Sequence, residues 1–158
     1  MSDCAFNPRA AFEQARLGTP FASLPIRGGI RAGDASTFRC HTKATFSPGT
    51  VRVYDVADHI VAWLDGTEPT SWTEEGSVHC DGGNGVILSA EALAEIEALE
   101  DEFEMFDRID DVDLPAQVTT PGGLPIAAFA FLGDGVYCTA IGCDEAGQPC
   151  ALVVHDPN

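Results

Sequence analysis

The sequence predicts an α+β domain. Its expected form is a mostly antiparallel, curled sheet, a sandwich or a partly open barrel, with one long amphipathic helix packed on it and a short N-terminal helix. Three observations carry this. Residues 129–155, FAFLGDGVYCTAIGCDEAGQPCALVVH, read as three short strands joined by two tight turns, Gly133-Asp134-Gly135 and Asp144-Glu145-Ala146-Gly147. Glycine supplies the positive φ such turns need, and the flanking Val, Ile, Phe and Tyr suit half-buried strands. Leu93, Ile96, Leu99, Phe103 and Phe106 then recur at three- and four-residue spacing, a single long helix behind Ser89. Elsewhere turn signals are frequent, and strands and helices do not alternate as βαβ units would require.

Taken in order, Asn7-Pro8 starts a short helix over residues 8–17, with Asn as N-cap and Pro in the first turn, and Gly18 and Pro20 stop it. Residues 21–33 are punctuated by Gly and Pro and read as irregular, with one short extended piece at Ser23–Ile26. A single domain over 1–158 follows, made of an irregular N-terminal segment (1–33) and a strand-rich body (34–158). Strand signals begin near Thr37 and run loosely to Phe46, and Ser47-Pro48-Gly49 marks a turn. Residues 51–56 and 59–64 form two strands, and Thr67–Glu75 is polar enough to read as a loop. Ser77–Cys80 and Gly85–Leu88 read as short strands around the Gly-rich turn Asp81-Gly82-Gly83-Asn84. After the long helix comes an acidic connector, DRIDDVDLP, and strand signals return at Val118 and Ile126–Leu132.

A chain of 158 residues can bury about 70% of its unfolded surface, and 45% apolar with 21% charged residues supports a packed core. No apolar run reaches the ~18 residues of a membrane span, and the N-terminus lacks a secretory h-region, so no membrane role and a cytoplasmic location are expected. The charge is unusual. Residues 1–52 hold seven basic residues against three acids, a net of +4, whereas residues 53–158 hold Arg108 alone against twenty-two acids, a net of −21. Such a surface repels phosphate backbones, which excludes direct nucleic-acid binding, and it attracts basic proteins. The plainer account of the same charge is solubility.

The chemistry-bearing motifs are weak. Gly133-Asp134-Gly135 lies between strands with no helix N-terminus behind it, so it reads as a structural turn, as does Gly147. Asp107, Asp110, Asp111 and Asp113 crowd carboxylates without the order of a calcium loop. The six cysteines show no CxxC pair. Cys138, Cys143, Cys150 and His155 differ in strand parity, so no metal site is expected and the thiols are expected to be reduced and buried. His41, His59, His79 and His155 belong to no recognisable catalytic pattern, and no cofactor is called for.

The C-terminal half also resembles a bacterial domain-of-unknown-function family, the one numbered 4241. The matching positions are Gly133, Asp134, Gly135 and Tyr137 in the hairpin, then Asp144 and Gly147, then Leu152, Val153 and Val154. A second match is Asp81-Gly82-Gly83-Asn84-Gly85 leading into Ser89–Glu91. The resemblance covers residues 76–155 and implies a fold, with no reaction attached to it.

Function follows from charge. The expectation is a non-enzymatic acidic interaction protein, of the immunity or toxin-neutralising kind, that meets a basic protein partner through Glu97, Asp101, Glu104 and Asp111. The competing expectation is a small enzyme or ligand-binding domain with its pocket near Tyr137, His79 and Asp134. Self-association through an exposed strand, giving a homo-oligomer, is a third.

Overall fold

The computed structural model describes residues 6–40, 42–80, 83–101, 103–130 and 135–155. Eleven strands among them make two antiparallel sheets that face each other across one apolar core. The six-stranded sheet runs β1 (Ala22–Ile26), β4 (Gly49–Val56), β5 (His59–Leu64), β11 (Pro149–His155), β10 (Gly135–Cys143) and β6 (Ser71–Cys80). The five-stranded sheet runs β3 (Thr42–Thr45), β2 (Gly29–Asp34), β7 (Asn84–Ser89), β9 (Pro125–Ala130) and β8 (Ala116–Thr119). Neither sheet closes on itself, so of the two expected forms the sandwich is the one found.

Period-2 alternation decides which residues enter the core. Leu24, Val53, Ile60, Leu152 and Tyr137 point inward from the larger sheet and meet Ile30, Ile87, Ala127 and Phe129 from the smaller one. The outer faces are covered too. Helix α1 (Pro8–Arg16) lays Ala11, Phe12 and Ala15 on Tyr54, Val61 and Val153 of the larger sheet. Phe12 meets the Trp63 ring edge-on at 4.8 Å and 83°. Helices α2 (Ala90–Glu97) and α3 (Glu104–Asp110) bring Ala92, Met105 and Ile109 onto Val86, Leu88, Ile126 and Ala128 of the smaller sheet. The result is four layers, helix–sheet–sheet–helix. Strands covered on both faces read as unbroken apolar runs, which is why VILS in β7 and ALVV in β11 show no alternation.

Several expectations are corrected. The single long helix is two short ones. An unbroken helix from 90 to 110 would be about 32 Å long, whereas five strands span only about 19 Å, so the chain turns back to keep both segments on the sheet. Its acidic C-terminal end has no basic residue to oppose the helix dipole, and α2 stops there. Residues 21–33 are not irregular but contain β1 and most of β2. Thr67–Glu75 is not all loop, because β6 begins at Ser71. The strand expected from Thr37 shrinks to β3, since residues 35–37 form a turn. Cys138 is disulfide-bonded, against the reduced state expected of all six cysteines, while Cys40, Cys80, Cys143 and Cys150 are free. Gly147 is the turn glycine anticipated, at φ 80°, with Asp144 Oδ1 accepting from the Ala146 and Gln148 amides. Gly135 opens β10, and Gly133 and Asp134 lie outside the described residues.

Candidate functional site

The outer layer built by α2 and α3 carries the charge and borders a cavity of about 730 Å³. Ser89 caps α2, its Oγ accepting from the Ala92 amide at 3.1 Å. Glu95 ties the helix down from its middle, with Oε1 accepting from Thr120 Oγ1 at 2.6 Å and Oε2 from the Gly122 amide at 2.9 Å. The chain then turns through residues 98–101, and Asp101 Oδ1 accepts from the Phe103 amide at 3.0 Å. In α3, Met105 and Ile109 face the sheet. The opposite side therefore carries residues 103, 107, 110 and 111, which are Phe103, Asp107, Asp110 and Asp111, all exposed.

The structure separates the four residues expected to meet a partner. Asp101 and Asp111 are exposed, one in the link between the helices and one at the C-cap of α3. Glu104 is half-buried and lies 3.9 Å from the Arg108 guanidinium, an i,i+4 pair that partly offsets its charge. Glu97 stands at the end of α2 and faces a groove instead. The sequence reading missed Phe103, which is 60% exposed, and Val112, 40% exposed. The three- and four-residue spacing puts Phe103 on the buried stripe, whereas the break between α2 and α3 turns it into solvent.

The groove is a cavity of about 730 Å³ between α2 and residues 37–40 with Lys43. Phe38, Leu93, Ile96 and Leu99 supply its apolar surface, and Arg31, Arg39 and Lys43 supply three cations. Its outer wall is fixed by Asp34, a nearly buried carboxylate whose oxygens accept from the Ser36 amide and hydroxyl and the Thr37 hydroxyl. Phe38 sits at φ 56°, a left-handed backbone uncommon for a bulky residue. Cys40 also lines the groove, but burial pushes its thiol up to about 12, so it is not a thiolate nucleophile at neutral pH.

Of the residues of the alternative pocket near Tyr137, His79 and Asp134, the two that are described lie on opposite faces of the larger sheet. Tyr137 is 1% exposed and sits between the sheets. His79 is exposed and pairs in register with Val136, so it points to the opposite face from Tyr137. Asp134 lies outside the described residues. Among the described residues, no group of three or more His, Cys, Asp or Glu side chains is arranged to hold a metal ion. No helix among them is long and apolar enough to cross a membrane.

At the far end of the larger sheet, His59 and His155 are cross-strand partners with Nε2 and Nδ1 3.0 Å apart, and Phe6 stacks on His155 at 4.6 Å and 12°. Burial first, and His155 second, hold the His59 imidazole below its ordinary value. The folded state thus resists a proton that the unfolded chain accepts. The stabilising contribution is complete above the ordinary imidazole range and is lost as pH falls through it. Neutralising carboxylates in this acidic chain pulls the other way, so a comparison is needed. Urea midpoints for the wild type and His59→Asn should diverge between pH 8 and 5, the wild type losing more. Parallel curves would contradict a shifted His59.

Comparison of the chain with protein-family models, with curated proteins and with solved structures returns no match.

Proposed function

We propose that this is a non-enzymatic acidic interaction protein whose α2–α3 layer docks a basic protein partner. The observation that carries the proposal is Phe103, a large aromatic side chain 60% exposed among Asp101, Asp107, Asp110 and Asp111. Aromatic anchors dominate the energetics of protein interfaces when a partner covers them. Surrounding carboxylates speed the encounter with a cationic surface and discriminate against acidic partners. Arg108 is the one basic residue of the face, and it is engaged with Glu104 and with the Thr119 carbonyl at 3.0 Å. The face therefore presents net negative charge around an apolar centre. A toxin-neutralising or immunity role is one concrete form of this, since a basic catalytic cleft is a surface of the required kind.

Membership of the 4241 family, if the hairpin resemblance holds good, would add a fold to this reading and no chemistry. A cytoplasmic setting was expected from the N-terminus, although a disulfide at Cys138 suits an oxidising compartment better.

The test separates the aromatic anchor from bulk charge. Phe103→Ser is expected to weaken capture of the partner by at least about tenfold, the scale of an interface hot spot. It should leave the fold intact, because the side chain is mostly in solvent. Glu74 and Glu75 lie on the edge strand β6, away from this face, so Glu74→Gln with Glu75→Gln removes the same kind of charge and should change capture little. Equal losses from both changes would leave only a charge effect and sink the docking face.

A further inference from the structure

We propose that the groove between α2 and residues 37–40 with Lys43 binds a small organic oxyanion, a carboxylate or phosphate carried on an apolar body. This site shares α2 with the docking face but rests on a different set of residues, and it does not depend on that reading.

Strand pairing is what brings the cations together. β2 and β3 pair with Arg31 directly opposite Lys43. Their neighbours Ile30 and Ala32 point into the inter-sheet core, so both charged residues point outward, toward α2. Like charges directly opposite each other on one sheet face repel. Arg39 joins them from the segment that follows the Asp34 turn. Among the described residues, none of the three forms an ion pair; nor do Arg9 and Arg27, but those two are not gathered with other cations around the groove. In a chain with twenty-five acids, three clustered cations outnumber the two carboxylates, Glu97 and Glu100, that line the same groove, so the groove is locally positive.

The cluster is also prepared for a ligand. Arg31 Nη1 donates to the Ile30 carbonyl at 3.0 Å, which fixes the guanidinium. Glycine at position 29 makes room for it, since a Cβ there would lie 3.2 Å from Arg31 Nη1 and 2.8 Å from the Ala90 Cβ. A guanidinium held in place loses less entropy when it takes a carboxylate or phosphate in its two-pronged geometry. Beneath the charges, Phe38, Leu93, Ile96 and Leu99 supply an apolar surface, and about 730 Å³ accommodates a small organic molecule. Glu97 and Glu100 sit on the α2 side of the same groove. They repel a ligand that is anionic along its length, so the groove favours one oxyanion at one end over a polyanion.

The experiment is calorimetric titration of the full chain with four probes: octanoate, octyl phosphate, octylamine and inorganic phosphate. Octanoate or octyl phosphate should bind saturably, one per chain, and the tighter of the two identifies the headgroup. Octylamine should not bind, and inorganic phosphate should bind at least tenfold more weakly than octyl phosphate. Arg31→Gln and Lys43→Gln should each weaken binding about tenfold or more, the effect of losing one charged hydrogen bond. Lys43→Gln should meanwhile melt no lower than the wild type, because it removes a like-charge neighbour, and this separates lost binding from lost folding. Silence with both octyl anions, equal binding of octylamine, or affinities unchanged in both variants would each overturn the proposal.

Discussion

Tyr137→Ala is expected to destabilise the protein by about 3–5 kcal/mol, the cost of emptying a large aromatic site in a packed core. Tyr137 is 1% exposed and lies in the inter-sheet core with Leu24, Ile60, Leu152 and Phe129. The walls are strands from two hydrogen-bonded sheets, which cannot collapse far into the space left behind. The neighbouring residue supplies the control. Val136 points the other way and is 51% exposed, so Val136→Ala should stay within about 0.5 kcal/mol. Urea unfolding measures both, as a shift of midpoint at constant slope. A cost under about 1 kcal/mol for Tyr137→Ala would contradict its core position and revive a pocket there.

Gly33→Val is expected to cost about 3 kcal/mol or more and to abolish ligand binding in the groove. A Cβ at position 33 would stand 2.2 Å from the Arg39 carbonyl oxygen and 2.7 Å from Cys40 Cα and Sγ. Two of these three are backbone atoms, held by the Asp34 amide donating to the Arg39 carbonyl at 3.2 Å. The obstacle cannot rotate away as a side-chain tip would, so the segment that carries Phe38, Arg39 and Cys40 must lift off β2. Gly49→Ala makes the contrast. Its Cβ would meet only the Leu64 Cδ1 methyl, at 3.1 Å, and that side chain can shift. The second variant should melt within a few degrees of the wild type and keep the groove, and equal losses would show that glycine at 33 has no special role.

Much of this architecture could be read in advance, and the failures have physical causes. The strands from 49 to 64 and from 135 to 155 stood out because apolar runs end at turn residues that the structure uses as turns, Gly147 among them. Ser89 was recognised as a helix cap because its side-chain oxygen has one purpose before an apolar stripe. β1 was legible only as the short extended piece at Ser23–Ile26, where Pro25 weakens the strand signal, and β2 was hidden by its glycines. Pro25 is tolerated because β1 is an edge strand, and Gly33 is needed where another segment crosses. The end of β6 at Ser77–Cys80 was legible as a strand, but its first part was hidden because β6 is an edge strand with six exposed residues among its ten, so that part lacks the alternation that marks a half-buried strand. Gly76, at φ 77°, also interrupts it.

The site was legible only as charge. Net charge placed carboxylates on residues 91–113, and α2 and α3 do present them. Nothing in the spacing of Leu99, Phe103 and Phe106 revealed that the helix would break and turn Phe103 outward. The groove could not be foreseen either, because Arg31 and Lys43 are twelve positions apart and become neighbours only through the register of β2 with β3. Periodicity reports which face of an element is apolar. It does not report which two elements will share a wall.

The central claim is that the α2–α3 face docks a basic partner, and its most direct test is capture from lysate of the source organism at low and high salt. The immobilised wild type is compared with Asp101→Asn, Asp107→Asn and Asp111→Asn combined with Phe103→Ser. The wild type should retain a basic protein at low salt and release it at high salt, as screened charges predict, and the altered face should retain none of it. The same protein bound equally by both forms, or held unchanged at high salt, would contradict the account.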